Sequence, residues 1–98
     1  MRAEMARSVV DGNAAAGLLM DVLDTDVTTL TAVCGGCGAV SSFAETIVEI
    51  DEVAAIVRCR SCTHTLLTVL RDARGTRAVI GMLREVRRPG ADLSRAEA

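Results

Sequence analysis

Cys34-Gly35-Gly36-Cys37 and Cys59-Arg60-Ser61-Cys62 hold every cysteine of the chain, as two CxxC pairs with 21 residues between them. Paired at this spacing, four thiolates are the pattern of a closed zinc site. Each short turn delivers two sulfurs to two corners of a tetrahedron with Zn–S bonds of ~2.3 Å. Gly35, Gly36 and Gly38 loosen the first turn, so that backbone N–H groups can point at the Cys34 and Cys37 sulfurs. The second turn is less accommodating, because Thr63 stands where the first has Gly38 and a β-branched residue reaches positive φ only at a cost.

Three other chemistries use the same residue types. A thioredoxin-like redox pair needs a βαβ setting, which the sequence lacks. A rubredoxin-like iron site is not excluded by four thiolates. Structural disulfides need an oxidising compartment. No apolar run behind Met1, Arg2 and Glu4 is long enough for a secretion signal, so a cytoplasmic, reducing setting is expected. One structural Zn2+ on Cys34, Cys37, Cys59 and Cys62 is therefore the expectation.

The remaining polar groups add little catalytic apparatus. His64 is the one histidine; with four sulfurs saturating the metal it reads as an ordinary polar residue leaving the second turn, or else as a hydrogen-bond donor or substitute ligand. Asp21, Asp24 and Asp26 are closely spaced carboxylates without the loop pattern of a calcium hand, and read as a solvated helix end. With no Lys, no Tyr and a single His, few general acids or bases are available. Four thiolates also leave no open position on zinc for a substrate. An enzyme is not expected, and neither is a small-molecule substrate.

At 98 residues the chain suits one domain, and a core of this size is marginal without a staple. Half the residues are hydrophobic, yet Phe43 is the sole aromatic, so the core must be aliphatic. The spacing of Ala15, Leu18, Leu19, Val22 and Leu23 predicts a helix face, with Asp11 or Asn13 to cap it. Residues 28–33, 39–43, 46–50, 53–58, 65–71 and 77–83 read as strands, and each cysteine pair falls at a turn between two of them. The last of these also fits a helix, through Val79, Met82, Leu83 and Val86. Residues 27–44 carry no charge, but their Thr, Ser, Gly and Cys content argues against a membrane span. The predicted organisation is a flexible lead-in over 1–10, a domain over 11–88 and a flexible tail over 89–98. Its fold class is α+β: a small zinc ribbon whose two CxxC hairpin knuckles form an antiparallel sheet with one N-terminal helix.

Val10-Asp11-Gly12-Asn13-Ala14-Ala15-Ala16-Gly17, then Asp26-Val27-Thr28, then Cys34-Gly35-Gly36-Cys37-Gly38 and a second CxxC, resemble a family of short bacterial zinc-ribbon proteins of unknown function. The resemblance runs from about residue 10 to residue 86. It implies that the four cysteines are metal ligands and that the C-terminal run is a strand. It implies no activity. The chain departs from that pattern at Arg60-Ser61 and Thr63, where Pro and Gly are expected, and in lacking an aromatic in the last strand.

Charge is distributed unevenly. Residues 1–57 carry two Arg and nine acids, whereas residues 58–88 carry eight Arg and two acids, within a net charge of −2. Arg58, Arg60, Arg74 and Arg77 are candidates for phosphate contact. Against this stand the acidic overall balance and the lack of stacking aromatics; partial cancellation against the acidic segment 45–52 is the alternative. The expected role is a non-catalytic protein-interaction module. A nucleic-acid-binding ribbon is the second reading, and a zinc–thiolate redox switch the third.

Overall fold

Successive side chains of a strand point to opposite faces, and in the central strands one set of them points inward. Val48, Ala55, Val57, Leu67 and Val69 are all buried and lie opposite one another, Val48 against Val57, Val57 against Leu67 and Ala55 against Val69. A computed structural model of the chain describes residues 8–88. Its strands are β1 (Ser8–Asp11), β2 (Thr31–Cys34), β3 (Val40–Ser42), β4 (Ile47–Ile50), β5 (Ala54–Arg58), β6 (Thr65–Asp72), β7 (Gly75–Ile80) and β8 (Leu83–Arg87). They form a five-stranded sheet in the order β1-β4-β5-β6-β7 and a three-stranded sheet in the order β3-β2-β8. Every pairing is antiparallel.

The helix α1 (Ala16–Leu23) closes the core from one side. Leu19 is fully buried with Ala15, while Leu18, Val22 and Leu23 pack more loosely around them, so the predicted apolar face is spent inside the molecule. The helix begins later than Asp11 or Asn13 would set it. Asp11 belongs to β1, opposite Ile47, and its carboxylate accepts the Ala14 N–H at 2.8 Å, turning the chain before the helix starts. Asp24 ends it in the left-handed conformation, φ 58°, donating its N–H to Met20 O at 2.7 Å. Asp26 then caps a single 3₁₀ turn, Val27–Thr29. The Thr28 hydroxyl and N–H hold its carboxyl below the usual range. Asp24 and Asp26 thus end and begin local structure, as the sequence suggests, while Asp21 is exposed within the last turn of α1.

Phe43 sits at the middle of the core with no exposed surface, on a second 3₁₀ turn, Phe43–Glu45. The Asp11–Ala14 corner is laid directly on this turn: Gly12 N donates to Thr46 O at 3.0 Å and Asn13 N to Ala44 O at 3.1 Å. A Cβ at Gly12 would lie 1.7 Å from the Phe43 carbonyl oxygen. Only glycine fits there.

Four expectations change. Residues 8–10 of the presumed lead-in form a strand, because Val10 stacks beside Val48 and packs against the core; residues 1–7 and 89–98 lie outside the described residues. The two cysteine turns serve two sheets rather than one. The run 77–83 is not one strand, nor a helix: it breaks at Gly81-Met82, where the chain leaves β6 and crosses to pair β8 with β2. The molecule is mostly strand, with one α-helix among the described residues.

Gly12→Ala must push the Phe43 carbonyl away. It is expected to destabilise the protein by at least ~3 kcal/mol, the upper range for overpacking, read as a fall in thermal midpoint with metal present. An unchanged midpoint would show that the corner is not held as described.

Candidate metal centre

Strand β2 ends at Cys34, and the turn to β3 carries Cys37; β5 ends one residue before Cys59, and the turn to β6 carries Cys62. The two turns repeat one hydrogen-bond pattern. Cys34 N donates to Ala39 O at 3.0 Å and Gly38 N to Cys34 O at 2.8 Å; Cys59 N donates to His64 O at 2.9 Å and Thr63 N to Cys59 O at 2.9 Å. Inside each loop an N–H reaches the first sulfur, Gly36 N to Cys34 Sγ at 3.3 Å and Ser61 N to Cys59 Sγ at 3.4 Å. Gly38 takes φ 79° and Thr63 takes φ 65°. The threonine is accommodated, but in a conformation that disfavours β-branched side chains.

The four sulfurs converge. They all lie within 4.8 Å of one another, with Cys34 Sγ to Cys62 Sγ at 3.6 Å and Cys37 Sγ to Cys59 Sγ at 3.8 Å. A tetrahedron with Zn–S of ~2.3 Å has edges of about 3.8 Å, so these two cross-turn distances match a metal-filled cage. They are far too long for S–S bonds of ~2.05 Å, and the cysteines are free thiols. Cys34 and Cys59 are buried, Cys62 is half-buried and Cys37 exposed.

As thiols the groups titrate apart. Burial alone would push Cys59 up, yet the Cys62 and Ser61 N–H groups and the adjacent Cys37 and Cys62 side chains bring it down to about 7. The His64 N–H pulls Cys62 down, but desolvation and the Cys34, Cys37 and Cys59 sulfurs together push it up to about 12. One proton leaves easily and another is held by the accumulated charge. A cation among the sulfurs removes that conflict, because it favours every thiolate at once.

A feature that the sequence does not announce joins the turns from behind. Met82 N donates to Thr65 O at 2.8 Å, and Met82 O accepts Gly35 N at 2.7 Å. The backbone of one residue thus ties the strand leaving the second turn to the loop of the first. Gly81 lets the chain come this close, since a Cβ there would stand 2.7 Å from Thr65 O.

A model of a family of unknown function, DUF6510, matches residues 4–91. The chain belongs to that family. No curated protein matches it, and no solved structure does. The family brings no activity to the site, so its chemistry rests on the geometry above.

The arginines do not form one surface. Arg58 is occupied: its Nε is 3.1 Å and its Nη2 3.4 Å from the two Glu49 oxygens, and Nη1 donates to Thr63 O and Thr65 Oγ1. It braces the second cysteine turn, and this pair is the predicted cancellation against segment 45–52. Arg60 is exposed on that turn. Arg74 and Arg77 lie toward the other end of β6, on the β6–β7 turn and opposite Leu70, roughly 20 Å away along the strand. No helix among the described residues is long and apolar enough to cross a membrane.

Because Thr63 holds a glycine-like conformation, Thr63→Gly is expected to stabilise the protein by about 1 kcal/mol. The gain should show as a higher denaturation midpoint with metal content unchanged. A lower midpoint would mean that the threonine hydroxyl, which donates to Cys62 O, outweighs the strain.

Proposed function

We propose that the protein is a small zinc ribbon, a non-catalytic interaction module built around one structural zinc ion. The observation that carries this reading is the meeting of four sulfurs within 4.8 Å from turns in two different sheets. The donor set is all thiolate, which suits zinc and other soft or borderline ions. Filling four corners leaves no place for a substrate on the metal, so the ion serves to hold the sheets. A reducing, cytoplasmic setting keeps the thiols available for it.

For a protein partner the exposed structure offers strand edges rather than the helix, whose apolar face is buried. Strand β7 is one of the two outer strands of the five-stranded sheet, and its end presents Val79, Ile80 and, just beyond, Met82 to solvent. An extended segment of another chain can add to such an edge through main-chain hydrogen bonds.

Metal analysis of the purified full-length protein tests the zinc reading. One zinc per chain is expected, with cobalt substitution giving tetrahedral thiolate absorption. Cys34→Ser should lose the metal and lower stability by several kcal/mol, on the order of the coupling between thiolate ligation and folding. A metal-free protein, or a Cys34→Ser variant with an unchanged melt, would contradict the reading.

Arg74 and Arg77 favour a second reading, since both are exposed and neither guanidinium meets a carboxylate among the described residues; only the Arg74 backbone N–H does, on Asp72 at 2.8 Å. On that reading the β6–β7 tip contacts nucleic-acid phosphates and Arg58 takes no part. Binding to mixed-sequence single- and double-stranded nucleic acid should then fall steeply with salt, and Arg74→Glu with Arg77→Glu should flatten the slope by about two contacts. No binding at low salt would leave the protein-partner reading alone.

A further inference from the structure

His64 stands beside the centre without belonging to its ligand set. Its Nδ1 lies 3.0 Å from Cys62 Sγ, yet the group of mutually close donor atoms comprises the four sulfurs alone. A thiolate can only accept, so toward an ionised Cys62 the ring must carry its proton on Nδ1. The ring also rests on the opposite turn: a Cβ built on Gly36 would sit 2.8 Å from His64 Nδ1 and 3.2 Å from its Cε1. His64 therefore spans the gap between the two CxxC turns, donating to one and leaning on the backbone of the other. Gly36 is what makes room for it.

The other three sulfurs are not equally protected. Cys34 and Cys59 are 1% and 2% exposed, and each accepts a loop N–H. Cys37 is exposed; its Sγ meets the Cys59 sulfur at 3.8 Å and, among the described residues, no N–H donor. Hydrogen bonds draw charge off a thiolate and slow its attack on carbon. Cys62 would be the second accessible sulfur were His64 not upon it.

We propose that His64 shields Cys62, and so leaves Cys37 as the sulfur through which the centre is first attacked by an electrophile. The order of attack follows from thiol exposure and hydrogen bonding; its consequence for metal release rests on the zinc reading. In the probing reaction the Cys37 sulfur lone pair forms an S–C bond to iodoacetamide, the C–I bond breaks and iodide leaves. The thioether that remains is a neutral, weak ligand.

The test is limiting iodoacetamide on the full-length protein as purified, with each cysteine quantified by peptide mass spectrometry and metal content measured in parallel. The wild type should be alkylated at Cys37 first. In His64→Phe the ratio of Cys62 to Cys37 alkylation should rise about 10-fold, the lower range for loss of a hydrogen bond to a metal ligand, and His64→Asn, which restores a donor near Nδ1, should recover most of it. Cys62 reacting as fast as Cys37 in the wild type, or an unchanged ratio in His64→Phe, overturns the proposal. Should His64→Phe expose all four cysteines alike it has lost its fold, and His64→Asn then decides: Cys37 first supports the proposal, Cys62 first defeats it. In a protein without zinc, Cys37 reacting first together with a raised Cys62 to Cys37 ratio in His64→Phe would uphold this inference while refuting the zinc reading. Zinc-loaded protein with Cys62 fastest would do the reverse.

Discussion

Four sulfurs crowded within 4.8 Å repel one another as soon as they ionise, and everything around them is arranged so that they nevertheless stay together. Loop N–H groups take charge from Cys34 and Cys59, and His64 approaches Cys62. The Met82 backbone ties the two turns from behind. Backbone groups carry no full positive charge into the cage. A divalent cation would do so directly, and would relieve the crowding by Cys34, Cys37 and Cys59 that pushes Cys62 up.

The core explains why such a staple matters. It is built from aliphatic side chains and a single aromatic, Phe43, and a domain of this length has little surplus stability. The five-stranded sheet, the helix and the Phe43 turn share one buried cluster. The three-stranded sheet joins it through Ala32 and Cys34 of β2, with Leu83 of β8 packed against them. Cys34 and Cys37 lie at the end of β2 and on the turn after it, Cys59 and Cys62 on the turn between β5 and β6, so a metal on the four sulfurs would join the small sheet to the large one. The same geometry separates the arginines. Arg58 is fixed to Glu49 beneath the second turn, while Arg74 and Arg77 travel to the far end of β6.

Much of this is legible in the amino-acid sequence. The cysteine spacing singles out the four side chains that the fold gathers, and runs rich in Val, Ile, Leu and Thr at 53–58 and 65–71 mark β5 and β6. The helix face was readable from its period, but its start was not: Asp11 has the chemistry of a cap and is used instead to end β1 and turn the chain. Strand β1 escaped notice because Ser8-Val9-Val10-Asp11 shows only two apolar residues, one of them exposed. The break at Gly81-Met82 lies inside a continuous apolar run. Nothing local distinguishes it from a strand; it is set by Thr65, Leu66 and Gly35, distant in sequence, which accept or donate its hydrogen bonds. Division into two sheets is likewise a long-range choice, made when β8 pairs with β2. The role of His64 depends on Gly36 across the cage, which spacing alone does not reveal.

The central claim is that a metal ion holds the small sheet to the large one. Amide hydrogen exchange on the full-length protein, zinc-loaded and after chelation, measures this strand by strand. The account predicts that chelation strips protection from β2, β3, β8 and both cysteine turns together, with β4, β5 and β6 losing less. Protection unchanged in β2 and β8 after the metal is removed would contradict it.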